Sequence, residues 1–279
     1  MEIIKEKLFD SEYDLSDSYV TCYLKGQDKN LRAPVNYPAV ILCPGGGYTQ
    51  LSDRESEIIA LNFLAQDYHV FVLNYSLLPS SKLYPKPLIE AAKTFNIIEK
   101  YAKDYLIDTS RIVMAGFSAG GHVATLYSGM TDEWIRHYSS AKIIRPYRQL
   151  LGYPLIDYQL THDFTAKEIT QVLGDFTDGA AQKLVTSSTP PTFIWATKTD
   201  ELVPIQNTLS YVAALAENDV DFEEHIFGWG PHGLSLANEQ TDYLPTDKKH
   251  ADREFLNQHV AKWFDLAIEW LKQTKFDIN

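Results

Sequence analysis

The stretch Gly116-Phe117-Ser118-Ala119-Gly120-Gly121-His122 matches G-x-S-x-G with a further glycine behind it. Upstream, Arg111-Ile112-Val113-Met114-Ala115 is a short apolar run that reads as a buried strand. Downstream, small and apolar residues continue from Ala119 to about Tyr127 without a proline, which suits a helix. Strand, sharp turn and helix form the setting that presents a serine as a nucleophile. Gly116 and Gly120 flank the turn because side chains there would collide with the neighbouring strand and helix. The turn lifts the Ser118 hydroxyl clear of the sheet and sets it at the positive end of the following helix, where developing negative charge is stabilised.

Outward from this turn, apolar runs alternate with helical patterns. Ala39-Val40-Ile41-Leu42-Cys43 is apolar on both faces, the mark of a central parallel strand covered on each side. Ser52 or Asp53 is expected to cap a helix with an acidic first turn (Asp53, Glu55) and an apolar face of Ile58, Ile59, Leu61, Phe63 and Leu64. A strand over residues 69–75 follows, then a helix over about 88–105 with Ala91, Ala92, Phe95, Ile98 and Ala102 at helical spacing. Asp108-Thr109-Ser110 turns the chain into the strand before Ser118. Further strands are expected at 149–156, 192–196 and 222–227, and helices at 207–218 and about 252–273. Residues 1–37 are polar with short β-like runs, notably 19–24, that suit edge strands. The whole predicts an α/β chain with a doubly wound, mostly parallel sheet, organised as a single domain over 1–279. Residues 158–190 read either as a small cap or as a surface loop with a helix.

Composition excludes several functions. The chain has 279 residues, 45% hydrophobic and 22% charged, which is ample for a core. Its formal charge of −12 argues against nucleic acid and anionic membrane surfaces as partners. No apolar run approaches the ~18 residues of a membrane span. The N-terminus lacks the basic-then-apolar order of a signal peptide. The two cysteines, Cys22 and Cys43, fit a reduced, cytoplasmic protein better than a disulfide scaffold. No His/Cys cluster has zinc spacing, so neither metal nor cofactor is expected.

A serine hydroxyl needs a base, and the base an orienting acid. With the nucleophile on such a turn, the chain order is serine, acid, histidine. Asp200 follows directly from the strand at 192–196, where active sites of open α/β sheets gather. Glu201 and Asp157 are the alternative acids. Among eight histidines, His232 lies in Gly228-Trp229-Gly230-Pro231-His232-Gly233, just after the last strand. His122 belongs to the helix behind the serine and reads as a packing or supporting residue, while His69 and His225 read as structural. The oxyanion donors are expected to be the backbone amides of Ala119 and of Gly46 and Gly47, the latter from the side-chain-free loop Pro44-Gly45-Gly46-Gly47. That loop lacks the Gly-Lys-Ser/Thr of a phosphate cradle. Tyr48 and Trp229 stand beside these loops, either closing an acyl pocket or packing as ordinary core.

These residues carry a resemblance. Cys43-Pro44-Gly45-Gly46-Gly47-Tyr48 and Gly116 to His122, with Asp200 and His232 at the acid and base positions, resemble α/β-hydrolase-fold esterases of the hormone-sensitive-lipase-like and acetyl-xylan-esterase branch. The similarity runs from about residue 38 to 235. It implies a serine carboxylesterase acting on small-molecule esters of short acyl groups, acetate above all, carried on a sugar or another small alcohol. Similar bacterial proteins are often labelled xylanases, a label that would require paired carboxylates for glycoside cleavage. The sequence offers no independent sign of that pair. A peptidase or amidase with the same three residues is the enzymatic alternative, and a non-catalytic hydrolase-like binding protein the other. The aromatic-rich C-terminal helix and the 158–190 segment are where a homo-oligomer would find its contacts.

Overall fold

The computed structural model describes residues 1–8, 18–26, 35–78, 83–130, 144–161, 165–174, 176, 178–243 and 255–273. Eight strands form one sheet: β1 (Glu2–Lys7), β2 (Tyr19–Leu24), β3 (Tyr37–Cys43), β4 (His69–Asn74), β5 (Ile107–Phe117), β6 (Arg148–Gly152), β7 (Thr192–Thr197) and β8 (Phe222–Phe227). Their spatial order is β1-β2-β4-β3-β5-β6-β7-β8. The first two strands pair antiparallel at one edge, and every pair from β4 to β8 is parallel. The helices are α1 (Glu57–Ala65), α2 (Lys86–Tyr105), α3 (Ala119–Gly129), α4 (Ala166–Leu173), α5 (Gln206–Glu217) and α6 (Trp263–Leu271).

The two-residue period of a strand sends alternate side chains to opposite faces, and β3 shows both faces covered. Ala39, Ile41 and Cys43 join a cluster with Phe95 of α2, Val123 and Tyr127 of α3 and Leu215 of α5. Val40 and Leu42 join a second cluster with Phe63 of α1 and Trp263 and Trp270 of α6. Stacking of Trp195 on Trp263, with ring centroids 5.1 Å apart, ties β7 to α6; such pairs contribute ~1 kcal/mol beyond their burial.

Several expectations change in detail. Neither Ser52 nor Asp53 makes a side-chain cap to α1: Asp53–Glu55 is a separate 3₁₀ turn and α1 begins at Glu57. Leu61 faces solvent rather than the core. Asp108–Ser110 lies within β5, yet the pairing jumps from Tyr37↔Ile107 to Ala39↔Ile112, so these residues bulge from the ladder. The Asp108 carboxylate closes that bulge by accepting from Ser110 N and Oγ. Strand β6 stops at Gly152 instead of running to 156. The C-terminal helix begins with a 3₁₀ turn at Val260, and α6 runs only from Trp263 to Leu271; residues 252–254 of the expected helix lie outside the described residues. The 158–190 segment contributes a 3₁₀ turn (Tyr158–Leu160), α4 and a second 3₁₀ turn (Ala181–Leu184), with 162–164, 175 and 177 outside the described residues.

Candidate active site

Five parallel strands deliver their carboxyl ends to one place. The loop Gly45-Gly46-Gly47 follows β3, Ser118 follows β5, Tyr153 and Leu155 follow β6, Asp200 follows β7 and His232 follows β8. This is the edge where open α/β sheets form crevices. A cavity of about 300 Å³ opens there, bordered by Gly46, Gly47, Ser118, Ala119 and His232.

Ser118 sits at φ 51°, ψ −122°, a region costly for a residue with a side chain. Its neighbours explain why the turn holds. A Cβ on Gly120 would lie 2.0 Å from the Cys43 carbonyl oxygen, and one on Gly116 would lie 2.4 Å from the Gly120 carbonyl oxygen. The Ser118 N–H donates to Gly152 O at 3.1 Å, and the Ser118 carbonyl accepts from Leu155 N at 3.0 Å, so strand and loop on the far side lock the same residue.

The three side chains expected to work together meet. His232 Nε2 lies 2.8 Å from Ser118 Oγ, and His232 Nδ1 lies 2.7 Å from Asp200 Oδ2. The other Asp200 oxygen accepts from the backbone N–H groups of Leu202 (3.0 Å) and Val203 (2.8 Å). Asp200 therefore holds His232 in the tautomer that leaves Nε2 free to accept from the serine. Burial alone lowers the His232 pKa. The adjacent Asp200 charge and hydrogen bond, with Glu55 and Glu201 farther off, outweigh it and hold the imidazole above its ordinary value. Glu201 meanwhile accepts from the His232 backbone N–H at 3.1 Å. Asp157, the other candidate acid, accepts from Gln159 N and Gln182 Nε2 and serves the turn it caps.

Of the three loop glycines, Gly45 gives its amide to Glu55 Oε2 at 2.7 Å. The amides of Gly46, Gly47 and Ala119 have no acceptor among the described residues, and all three residues border the cavity. Gly46 and Gly47 adopt φ of 125° and 62°, which glycine tolerates best.

Two expected wall residues stand elsewhere. Tyr48 is fully buried behind Ala119, its hydroxyl 2.7 Å from Tyr84 Oη, 2.9 Å from His122 Nδ1 and 3.1 Å from Ala119 O. Trp229 is 49% exposed on the surface, with its carbonyl accepting from Asn257 Nδ2. Neither borders the cavity: Tyr48 is held in the core and Trp229 stands in solvent. His122 is buried as expected: Nε2–H donates to Gly179 O at 2.8 Å, which leaves Nδ1 to accept from Tyr48. His69 starts β4 in the core, and His225 within β8 meets Glu223.

The cavity's remaining walls were not legible beforehand. Leu155, Tyr158, Leu202, Val203 and Phe255 contribute apolar lining, and Gln50, Ser52, Arg54, Glu55 and Tyr243 polar lining. Glu55 reads from sequence only as part of an acidic first helical turn with Asp53, and no local signal sets it or Arg54 apart.

A BD-FAE family model matches residues 28–144, and a prolyl oligopeptidase family model matches residues 90–262. The crystal structure of the carboxylesterase Cest-2923 from Lactobacillus plantarum superimposes with a TM-score of 0.89 at 36% identity, covering 98% of this chain and 97% of that one. An acetylxylan esterase of Xylanibacter ruminicola is 30% identical over 71% of this chain. An endo-1,4-beta-xylanase B of Butyrivibrio fibrisolvens is 32% identical over 83% of it. The aligned chain spans only 41% and 38% of those two proteins' lengths. No helix among the described residues is long and apolar enough to cross a membrane. With its sheet order, its serine turn and its match to Cest-2923 over nearly the full length of both chains, this chain belongs to the carboxylesterase-like family of α/β hydrolases.

Proposed function

We propose that the chain is a serine carboxylesterase that removes short acyl groups, acetyl above all, from a hydroxylated small molecule such as a sugar. The observation that carries this reading is the unbroken relay from Ser118 Oγ through His232 to Asp200, on a cavity that Gly46, Gly47 and Ala119, whose amides have no acceptor among the described residues, also border. Ser118 attacks the ester carbonyl while His232 Nε2 takes its proton. The amides of Ala119, Gly46 and Gly47 stabilise the oxyanion as charge develops, a contribution worth about 3 kcal/mol per donor. His232 then gives the proton to the leaving alcohol. Deacylation repeats the cycle with water as nucleophile. Asp200 stabilises the imidazolium in both halves.

The cavity lining mixes apolar residues (Leu155, Tyr158, Leu202, Val203 and Phe255), which suit a short acyl chain, with polar ones such as Gln50 and Ser52, which suit a hydroxylated alcohol. A space of about 300 Å³ lies at the small end of ligand pockets. Similarity to the xylanase does not extend the reading to glycoside cleavage. The aligned stretch covers 38% of it, and the cavity here is bordered by one carboxylate, Glu55, among the described residues. Cys22 and Cys43, both free and buried, support a reducing, cytoplasmic setting. The chain is read as one domain, with 158–190 as a short cap that touches the cavity through Tyr158.

The prolyl oligopeptidase match favours a second reading in which the same residues cleave an amide. Hydrolysis of p-nitrophenyl acetate, butyrate and octanoate, beside an acetyl p-nitroanilide, separates them. The esterase reading expects acetate turnover that falls with acyl length and is lost in Ser118→Ala. Anilide turnover exceeding that of the ester selects the amidase, and ester turnover that survives Ser118→Ala rejects both.

A further inference from the structure

Glu55 borders the cavity but has no part in the chemistry above, although it is only 3% exposed. Burying a carboxylate is costly unless its oxygens are satisfied. Both are. Oε2 accepts from Gly45 N–H at 2.7 Å, and Oε1 accepts from the Tyr153 hydroxyl at 2.5 Å. The Tyr153 oxygen in turn accepts from Ser235 N–H at 2.9 Å. One side chain thus joins the loop of the oxyanion amides to the segment just past the base. The Tyr153 ring also stands edge-on to the His232 imidazole, with centroids 5.1 Å apart. Little separates Glu55 from the nucleophile: a Cβ on Gly45 would lie 2.7 Å from Glu55 Oε2 and 2.8 Å from Ser118 Cβ.

The preceding residue doubles the connection. Arg54 donates to the carbonyls of Gly233 (2.6 Å) and Thr241 (2.5 Å), and its own carbonyl accepts from Ser235 Oγ at 2.6 Å. Its guanidinium lies over the rings of Tyr243 and Phe255. A charged pair serving only solubility would face water; this pair is turned inward and holds two loops that β3 and β8 deliver separately.

We propose that Glu55 is a positioning residue, whose carboxylate sets the oxyanion loop and the base loop in register through Gly45 and Tyr153. Its negative charge, with the Tyr153 ring between it and the imidazole, also favours the protonated form of His232. The turnover part of this inference rests on the esterase reading; the effect on His232 does not. The imidazole faces Asp200 and Glu201 from the loop after β7, Glu55 from the turn after β3, and the neutral Tyr153 and Ser118 hydroxyls. Arg54, next to Glu55 in the chain, is occupied with backbone carbonyls. Removing the Glu55 charge makes that environment less negative, so His232 must give up its proton at lower pH. Tyr153→Phe cuts the tether and leaves the charge.

The test compares wild type, Glu55→Gln, Glu55→Asp and Tyr153→Phe by p-nitrophenyl acetate kinetics across pH, and by titration of ¹⁵N-labelled histidine in NMR. Active-site counting with an aryl phosphonate corrects every rate for folded enzyme. Glu55→Gln is expected to lower kcat per active site by about tenfold or more, with KM within about twofold, because oxyanion and base geometry act in the transition state. Its acid limb and its His232 titration both move to lower pH. Glu55→Asp restores the titration without the full kcat, and Tyr153→Phe lowers kcat with the titration unmoved. Wild-type kcat per active site together with an unshifted His232 titration in Glu55→Gln overturns the proposal. If the wild type hydrolyses no ester, the esterase reading fails, and the NMR titration of Glu55→Gln still decides the electrostatic role.

Discussion

Ser118 Oγ and His232 Nε2 lie 2.8 Å apart although 114 positions separate them in the chain. Each sits just beyond the carboxyl end of its own strand, β5 and β8, with β6 and β7 between them. Long loops bridge that gap: Asp200 reaches across from β7, and Thr197 and Thr199 both donate to Gly230 O, fixing the start of the histidine loop.

On the esterase reading proposed above, that contact makes activity depend on a neutral His232. Its pKa lies above the ordinary 6.5, burial being outweighed by Asp200, Glu55 and Glu201. As pH falls through that raised value the imidazole is protonated and cannot accept from Ser118, so kcat/KM falls with a midpoint above 6.5. Stability runs the other way. The contribution of protonated His232 is full below the unfolded value and is lost as pH rises through the folded one. A pH–rate profile with its acid midpoint at or below 6.5 contradicts this account.

His122 has the opposite linkage. Burial lowers it from 6.5 to about 4, so between those values the unfolded chain binds a proton that the folded one refuses. Stability should drop by about 3 kcal/mol as pH falls across that window, with His69 shifted in the same direction. Urea unfolding at neutral and at acid pH measures it. The His122→Gln chain, lacking this proton, should lose visibly less stability than wild type over the same span; equal losses would remove His122 from the account.

Gly120 of the elbow and Gly47 of the loop differ in what a methyl group meets. Gly120→Ala would place a Cβ 2.0 Å from Cys43 O and 2.4 Å from Pro44 O, both backbone atoms that cannot swing away. A loss of about 3 kcal/mol is expected. At Gly47 no atom lies within 4 Å, and only the φ of 62° resists alanine, a cost of about 1 kcal/mol. Thermal unfolding of the two variants should rank them clearly, and similar Tm values would argue against the steric explanation.

Tyr48 is a structural support rather than a wall of the cavity. Tyr48→Phe deprives His122 Nδ1 of its donor and breaks the link to Tyr84. We expect a stability loss of about 1–3 kcal/mol with KM for p-nitrophenyl acetate unchanged. A raised KM at normal stability would return Tyr48 to the substrate pocket.

Much of the architecture was legible because it is encoded in short windows. The period-two burial of Val40 and Leu42 against Ala39, Ile41 and Cys43 follows from a run apolar on both faces, and the run itself announces a central strand. Ser118 was legible because Gly116 and Gly120 tolerate no Cβ where the strand turns into the helix. Asp200 and His232 followed from their places after strands, given a serine earlier in the chain. Element ends were less legible. Asp108–Ser110 looks like a turn and is a bulge, because whether a polar triplet leaves the ladder depends on the partner strand, here Tyr37 and Ala39.

What local chemistry settled, then, is the doubly wound sheet, the strained serine turn and the glycine loop, since each depends on φ, steric room and periodicity within a dozen residues. Side-chain direction and long-range partners came only with the folded chain. Tyr48 turns from the cavity into the core because His122 Nδ1, Tyr84 Oη and Ala119 O all lie within hydrogen-bonding distance of its hydroxyl there. Glu55 turns inward because Gly45 N–H and the Tyr153 hydroxyl satisfy a charge that would otherwise stay in water. Those partners lie 10 to 98 positions away along the chain, and packing alone brings them within hydrogen-bonding distance.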